Sequence, residues 1–201
     1  MKLLFFCDTH NNTDAIDSLI KKAKQKKVDA IICAGDISEF GKDLVKIVKK
    51  FNIGIPFYMI PGNHETDEEI KHLDSKFSWF ENFHLKAKKV DSMLLIGCGG
   101  GGLSKNHTPF EKSEKYFRRE LKQFKNLDKT ILVTHAPPYN TLLDFIYDEH
   151  VGVKSIRKFI EKEQPGLAIC GHLHENANME DTIKKTRIIN PGKKGKIIEF
   201  N

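Results

Sequence analysis

The sequence predicts a single α/β domain over residues 1–201 that combines parallel and antiparallel strands. Two observations support this prediction. The first third of the chain alternates short apolar runs with longer lysine-rich amphipathic stretches, and the end of the chain has short alternating segments separated by turns. Strand–helix–strand alternation implies a parallel sheet with right-handed crossovers, whereas short strands joined by tight turns are typical of antiparallel pairing. No repeat or low-complexity linker divides the chain, so we expect one domain with mixed sheets.

The N-terminal part of the chain is predicted to form a βαβαβ unit. Its strands are short, nearly continuous apolar runs, found at residues 2–7, 29–35 and 55–60. Its helices are amphipathic stretches rich in lysine, found at residues 13–26 and 42–51. The first helix has Thr13 or Asp14 as its expected N-cap, because either side chain can accept a hydrogen bond from the first turn.

Beyond residue 65 the alternation of strands and helices is looser. Further helices are predicted at residues 66–74, 111–124 and 153–164, and further strands at residues 90–98, 130–135 and 167–171. After residue 171, three short segments are predicted to be antiparallel strands, at 176–181, 182–190 and 195–201. The aromatic segment FSWFENF at 77–83 is expected to cover the core rather than to form an interface.

Composition and cysteine spacing exclude several classes of protein. No apolar run approaches the roughly 20 residues of a transmembrane helix, and Asp8 interrupts an N-terminal apolar run that is too short for a signal peptide. The cysteines are far apart and lie within or at the end of apolar runs, at Cys7, Cys33, Cys98 and Cys170. Such residues are typical of a buried core rather than of a disulfide scaffold or a zinc ribbon. We therefore expect a cytoplasmic protein that has no membrane partner.

Polar residues that can bind metal ions follow five of the predicted strands. The clusters are Asp8-Thr9-His10, Gly35-Asp36, Gly62-Asn63-His64-Glu65, Thr134-His135 and Gly171-His172-Leu173-His174. The carboxyl ends of parallel strands converge on one crevice of an α/β sheet, so we expect the five clusters to be neighbours in space. Each cluster alone is weak evidence, because a single histidine or a glycine–aspartate pair is common in turns and caps.

The candidate ligands combine carboxylate, imidazole and amide oxygen donors without a thiolate. They are Asp8, His10, Asp36, Asn63, His135, His172 and His174. This donor set suits divalent manganese, iron, nickel, cobalt or zinc rather than calcium or an iron–sulfur cluster. Seven donors exceed what one ion usually takes, so the set indicates two ions that share a carboxylate and together hold a phosphoryl group. His64, next to a ligand, is left to donate a proton or to stabilise charge.

In their order along the chain, the clusters resemble the calcineurin-like metallophosphoesterase superfamily. The pattern of that superfamily is D-x-H, G-D, G-N-H-[ED], a single H after a strand and G-H-x-H, and its matches here span residues 8–174. The resemblance implies a four-layer α/β/β/α sandwich with two mixed β-sheets. It also implies a hydrolase in which a hydroxide that bridges the two ions attacks phosphorus in line.

The resemblance also implies a role for each residue of the site. Asp36 is expected to bridge the two ions. The other ligands divide between them, with Asp8, His10 and His174 on the first ion and Asn63, His135 and His172 on the second. His64 is expected to protonate the leaving oxygen or to stabilise the transition state, and Glu65 is expected to orient His64 without binding metal.

Three readings of the function follow. The first is a phosphoesterase for small phosphodiesters or cyclic nucleotides, because no additional recognition domain is evident. It is expected to act as a monomer or small homo-oligomer. The second is a nuclease, which the formal net charge of +6 permits, although the lysine runs at 21–27 and 193–196 lack the interleaved aromatic residues of a nucleic-acid platform. The third is a non-catalytic scaffold of the same fold, which the intact ligand set and His64 disfavour.

The glycine-rich segment at 97–102 is a weaker motif. It matches GxGxxG after a strand, but residues 103–109 offer no good helix start, so we expect a loop at the rim of the cleft rather than a dinucleotide site. His107 and His150 are expected to have surface or packing roles. Substrate choice is expected to depend on the loops at 65–80, 97–113 and 137–153.

Overall fold

Two mixed β-sheets lie face to face between two layers of helices in the computed structural model, which describes residues 1–102 and 104–200. The strands, in chain order, are β1 (Lys2–Phe6), β2 (Ala30–Cys33), β3 (Phe57–Met59), β4 (Phe80–Asn82), β5 (Lys86–Val90), β6 (Met93–Cys98), β7 (Thr130–Thr134), β8 (Phe145–Ile146), β9 (Glu149–His150), β10 (Leu167–Ile169), β11 (Glu180–Ile183), β12 (Thr186–Ile189) and β13 (Lys196–Glu199). The helices are α1 (Thr13–Lys26), α2 (Leu44–Lys50), α3 (Asp67–Lys76), α4 (Thr108–Phe124) and α5 (Lys154–Glu163).

Each sheet has a parallel centre and at least one antiparallel edge. The first sheet has the order β13-β1-β2-β3-β4, in which β13 alone runs antiparallel to its neighbour. The second has the order β11-β12-β10-β7-β6-β5, in which each edge strand, β11 or β5, runs antiparallel to its neighbour. Strands β8 and β9 form a separate short hairpin. The prediction of an α/β fold with two mixed sheets is therefore confirmed.

Alternation along the buried strands explains the four layers. In β1, Leu4 and Phe6 pack with α1, α2 and α3, whereas Leu3 and Phe5 pack between the two sheets. A strand that is buried on both faces shows this continuous apolar pattern. The outer face of the second sheet packs against α4 and α5, where the aromatic rings are those of Phe110, Phe117 and Phe159. The three apolar layers lie between helix and sheet, sheet and sheet, and sheet and helix.

Two helix starts differ from the predictions. Helix α1 begins at Thr13, but its N-cap is Asn12, whose side-chain oxygen accepts a hydrogen bond from the Ala15 N–H at 2.9 Å. Helix α4 begins at Thr108, because His107 Nδ1 accepts a hydrogen bond from the Phe110 N–H at 3.1 Å. The expectation that residues 103–109 hold no helix start was therefore wrong, although Leu103 itself lies outside the described residues.

The edges of both sheets also differ from the predictions. Strands β4 and β5 were not predicted, and β5 is an edge strand whose sequence, KAKKV, is mostly lysine. The segment 182–190 is not one strand, because a turn at Lys184 divides it between β11 and β12. Strand β12 is also parallel to β10, so the tail is only partly antiparallel. The last predicted segment, 195–201, contains β13, and its final residue lies outside the described residues.

Several packing predictions are confirmed. All four cysteines are buried and free. In the aromatic segment at 77–83, Phe80 and Phe83 are buried in two different apolar layers.

Among the described residues, no helix has both the length and the apolar character needed to cross a membrane.

Candidate metal centre

The carboxyl ends of β1, β2, β3, β7 and β10 meet at one end of the sandwich, where each strand is followed by a polar turn. The structure brings together all eight predicted site residues there, which are Asp8, His10, Asp36, Asn63, His64, His135, His172 and His174. Several of these turns have left-handed backbone, with φ of 56° at Asp8, 52° at Asp36 and 71° at His172. Such values are uncommon for residues other than glycine and are concentrated at functional sites.

Two glycines let these turns approach one another closely. A Cβ atom at Gly62 would collide with the carboxylate of Asp36, and one at Gly171 would lie 2.7 Å from Asp8 Oδ2. Both positions therefore require glycine because of the neighbouring carboxylate and not only because of a turn.

The first group of candidate ligands lies between β1 and β10. His10 Nε2 is 3.0 Å from His174 Nε2, and His174 Nε2 is 3.9 Å from Asp8 Oδ1. The backbone N–H of His172 donates a hydrogen bond to Asp8 Oδ2 at 3.1 Å, which fixes this carboxylate. One potential ligand atom from each of Asp8, His10 and His174 lies within 4.8 Å of the others, so the three side chains can bind one ion.

The second group surrounds the side chain of Asn63. Asn63 Oδ1 is 3.1 Å from His135 Nε2 and 2.9 Å from His172 Nδ1. Asp36 Oδ2 is 3.3 Å from the same His135 Nε2 and 3.7 Å from His10 Nε2. The carboxylate of Asp36 therefore lies between the two groups of ligands, as a shared carboxylate must.

The donors of the second group require a cation among them. His135 Nδ1 lies 2.8 Å from the carbonyl of Ala34, to which it donates, so Nε2 of the neutral imidazole carries a lone pair. In that neutral form the lone pair faces the acceptor oxygens of Asn63 and Asp36, so either a proton or a metal ion has to lie between them. In addition, His172 Nε2 is buried and has no hydrogen-bond partner in the described part of the chain. A divalent ion that accepts these lone pairs fits the donor set.

The ionisation states agree with this interpretation. Burial acts to raise the pKa of Asp36, but the hydrogen bond and charge of His135 outweigh burial and lower it to about 2. Burial, followed by the charge of His135, lowers the pKa of His172 to about 4, and burial lowers that of His10. These two imidazoles are thus neutral at pH 7, as metal ligands must be.

His135 differs from the other two imidazoles. Burial acts to lower its pKa, but the hydrogen bond and charge of Asp36 outweigh burial and raise it to about 9. Without metal, a proton on His135 therefore supplies the cation at this position. A divalent ion has to displace that proton when it binds.

A residue that was not predicted contacts two of the site histidines. Glu39 Oε2 is 3.2 Å from His10 Nδ1, and Glu39 Oε1 is 3.5 Å from His64 Nδ1. The His64 ring stands edge-on to that of His10, with centroids 4.6 Å apart. Its Nε2 is 4.0 Å from Asp36 Oδ2. The one sequence signal for Glu39 is an acidic residue in the turn after the second strand, three residues beyond Asp36.

The predicted role of Glu65 was wrong. Its buried carboxylate accepts hydrogen bonds from the backbone N–H groups of Asp36, Ser38 and Gly62 at 2.8–3.0 Å, and from the Ser38 hydroxyl. Buried carboxylates need such partners. Glu65 therefore holds the turn after β2 against the turn after β3, and Glu39 takes the place expected for it beside His64.

The other histidines of the nearby loops have structural roles, as expected. His107 caps α4, and His150 Nδ1 lies 2.8 Å from the buried carboxylate of Asp144.

The first ligand group opens into a cleft of about 460 Å³. Glu39, His64 and Lys193 also line this cleft.

Several known proteins are similar to this chain in sequence or in fold. The sequence model of the family described as calcineurin-like phosphoesterase matches residues 1–176. An uncharacterised protein of Methanocaldococcus jannaschii is 34% identical over an aligned length of 202 residues. The alignment covers 96% of this chain and 89% of that protein. A probable glycerophosphodiester phosphodiesterase of Arcobacter nitrofigilis is 28% identical over 193 residues, which cover 86% of this chain and 63% of that protein. The crystal structure of the protein TT1561 of Thermus thermophilus has a TM-score of 0.70, with 16% identity and coverage of 95% of this chain and 88% of that one.

Proposed function

This chain belongs to the calcineurin-like phosphoesterase family, whose members are metal-dependent hydrolases of phosphate esters, and we propose that it is a dinuclear phosphodiesterase for small substrates. The observation that supports two ions is the position of Asp36. Its Oδ2 lies within 4 Å of His135 in one ligand group and of His10 in the other. A carboxylate in this position can neutralise charge on both ions at once.

The seven candidate ligands divide into two sets around Asp36. One set is Asp8, His10 and His174, and the other is Asn63, His135 and His172. Nitrogen and oxygen ligands of this kind can bind manganese, iron, nickel, cobalt or zinc. When bound, a pair of such ions supplies Lewis acidity at the phosphoryl oxygens and lowers the pKa of water to near neutrality.

His64 is the proposed proton donor to the leaving oxygen. Its Nδ1 faces the carboxylate of Glu39 at 3.5 Å, and its ring lines the cleft. A carboxylate beside Nδ1 can orient the ring, which leaves Nε2 to act as a general acid. Glu39 is a positioning residue in this scheme.

Two observations support a small phosphodiester as the substrate. The cleft, at about 460 Å³, lies in the usual size range of sites for small molecules. The relative from Arcobacter nitrofigilis is named a probable glycerophosphodiester phosphodiesterase, although the chain spans only 63% of its length. Cyclic nucleotides belong to the same chemical class. The intact ligand set and His64 favour this enzyme over a non-catalytic scaffold.

The proposal is tested by the hydrolysis of a diester and a monoester by the same preparations. Metal-free protein, protein reconstituted with Mn²⁺ and reconstituted Asp36→Asn are compared on bis(p-nitrophenyl) phosphate and p-nitrophenyl phosphate. We expect reconstitution to restore diester hydrolysis in the natural sequence and not in Asp36→Asn. Faster hydrolysis of the monoester would contradict the diester preference, and two bound ions without turnover of either ester would indicate a scaffold.

A further inference from the structure

Phe40 is an exposed aromatic residue at the edge of the proposed active site. It follows Glu39 directly, and its side chain is 75% exposed. Its backbone is left-handed, with φ of 48°, which is an outlier for a bulky residue. The tight turn over Glu39–Lys42 accounts for this conformation, because the Lys42 N–H donates a hydrogen bond to the Glu39 carbonyl at 3.0 Å and Gly41 is also left-handed, with φ of 72°. The turn leaves the ring of Phe40 largely exposed.

The ring of Phe40 packs on the imidazole of His64. The two ring centroids are 4.2 Å apart and the planes are inclined by 31°. Glu39 contacts the Nδ1 edge of the same imidazole at 3.5 Å. One turn thus supplies both a carboxylate that orients His64 and an aromatic ring beside it.

We propose that Phe40 binds a planar group on the leaving alcohol, so that the enzyme prefers phosphodiesters whose departing alcohol carries an aromatic ring or a nucleobase. The inference rests on the proposed function, because the leaving oxygen must come within hydrogen-bond reach of His64. Atoms just beyond that oxygen would then lie near the ring of Phe40, which packs on His64 at the rim of the cleft. Aromatic rings stack with centroids about 4.5–7 Å apart, so a planar group fits on the outer face of this ring.

The reaction in this arrangement balances as an ordinary hydrolysis. Water supplies the oxygen that bonds to phosphorus, and the bond between phosphorus and the leaving oxygen breaks. That oxygen takes the proton of His64, and the proton lost by the water restores His64. Phe40 takes no part in the chemistry and determines which of the two ester groups lies beside His64.

A mixed diester tests this preference within one molecule. Benzyl methyl phosphate carries two alcohols of similar basicity, of which only one is planar, so the ratio of benzyl alcohol to methanol released reports which group lies beside His64. We expect the natural sequence to release benzyl alcohol in excess by about three- to tenfold, the range of a typical aromatic contact. Phe40→Leu should bring the ratio close to one, and Phe40→Tyr should keep the excess.

A binding measurement separates this inference from the proposed function. Calorimetry compares benzylphosphonate with methylphosphonate on the Mn²⁺-loaded protein, where we expect benzylphosphonate to bind about three- to tenfold more tightly and Phe40→Leu to remove the difference. Tyr147→Leu is the matched control, because Tyr147 is 87% exposed, has φ of 50° and lies in the β8–β9 turn. The control should leave both ratios unchanged.

The outcomes are distinguishable. Turnover with equal ratios in the natural sequence and Phe40→Leu would overturn the role of Phe40 and leave the proposed phosphodiesterase intact. Equal loss of both products in Phe40→Leu would show that Phe40 only supports His64, which also overturns it. A ring-dependent binding preference without hydrolysis of any diester would support the aromatic site and contradict the phosphodiesterase.

Discussion

The roles proposed for His64 and Glu39 can be separated at the scale of single residues. His64 faces the cleft and is the proposed acid, whereas Glu39 contacts the Nδ1 atoms of both His64 and His10. Removing the acid should affect substrates according to how much their leaving group needs a proton. Removing the carboxylate should weaken the orientation of two imidazoles without removing either.

We expect His64→Ala to lower kcat about 10²- to 10⁴-fold for a dialkyl phosphodiester. The loss should be smaller for bis(p-nitrophenyl) phosphate, because nitrophenolate leaves without a proton. Glu39→Gln should lower kcat about 10- to 100-fold, which is the usual effect of removing a residue that orients another group. Steady-state kinetics and elemental analysis of the same samples provide the measurement, with the exposed His72→Ala as the control. Loss of an ion from His64→Ala would show that His64 is a ligand.

The strand-end turns are the elements that assemble the site, and the clustering of their candidate ligands could be predicted from sequence. Each ligand follows an apolar run, and parallel strands bring such positions together, as seen for Asp36 and His135. Glu39, the backbone contacts of Glu65 and the capping of α4 by His107 could not be predicted in this way. Their partners depend on how the turns fold over one another, and Asn12 took the capping role expected for its neighbours.

One loop beside the site depends on the charge state of a histidine. His84 Nδ1 accepts a hydrogen bond from the Gly99 N–H at 2.8 Å, which a protonated imidazole cannot do. Burial lowers the pKa of His84, with the charge of Asp67 opposing it and that of His107 adding to it. The fold therefore favours neutral His84. Its contribution to stability is complete above the unfolded-state pKa of about 6.5 and is lost as the pH falls below that value.

We expect His84→Gln to flatten the acid side of the stability profile. The free energy of unfolding of the metal-free protein should fall as the pH is lowered from about 7.5 to about 5.5, and it should fall less in His84→Gln, whose amide oxygen accepts the same hydrogen bond without titrating. Denaturant unfolding across this pH range provides the measurement. Because the pKa values of His10 and His172 are also lowered, only the difference between the two proteins is diagnostic. Parallel profiles would contradict this role of His84.

At the scale of the whole molecule, the site joins the two sheets. Asp8, Asp36 and Asn63 follow strands of the first sheet, whereas His135 and His172 follow strands of the second. The four-layer order was available from the sequence only through the family resemblance. The periodicity of the sequence did not show to which sheet β13 belongs. Its partner β1 lies at the opposite end of the chain, and half-buried edge residues such as Ile197 and Ile198 fit either sheet.

The most direct measurement of the central claim is a titration of the metal-free protein with Mn²⁺ while the hydrolysis of bis(p-nitrophenyl) phosphate is followed. With the protein concentration well above Kd, the added ions bind in stoichiometric amounts. Two ions that share Asp36 predict that the rate reaches its plateau at two equivalents of Mn²⁺ per chain. A plateau at one equivalent, or two bound equivalents without hydrolysis, would contradict a dinuclear phosphodiesterase.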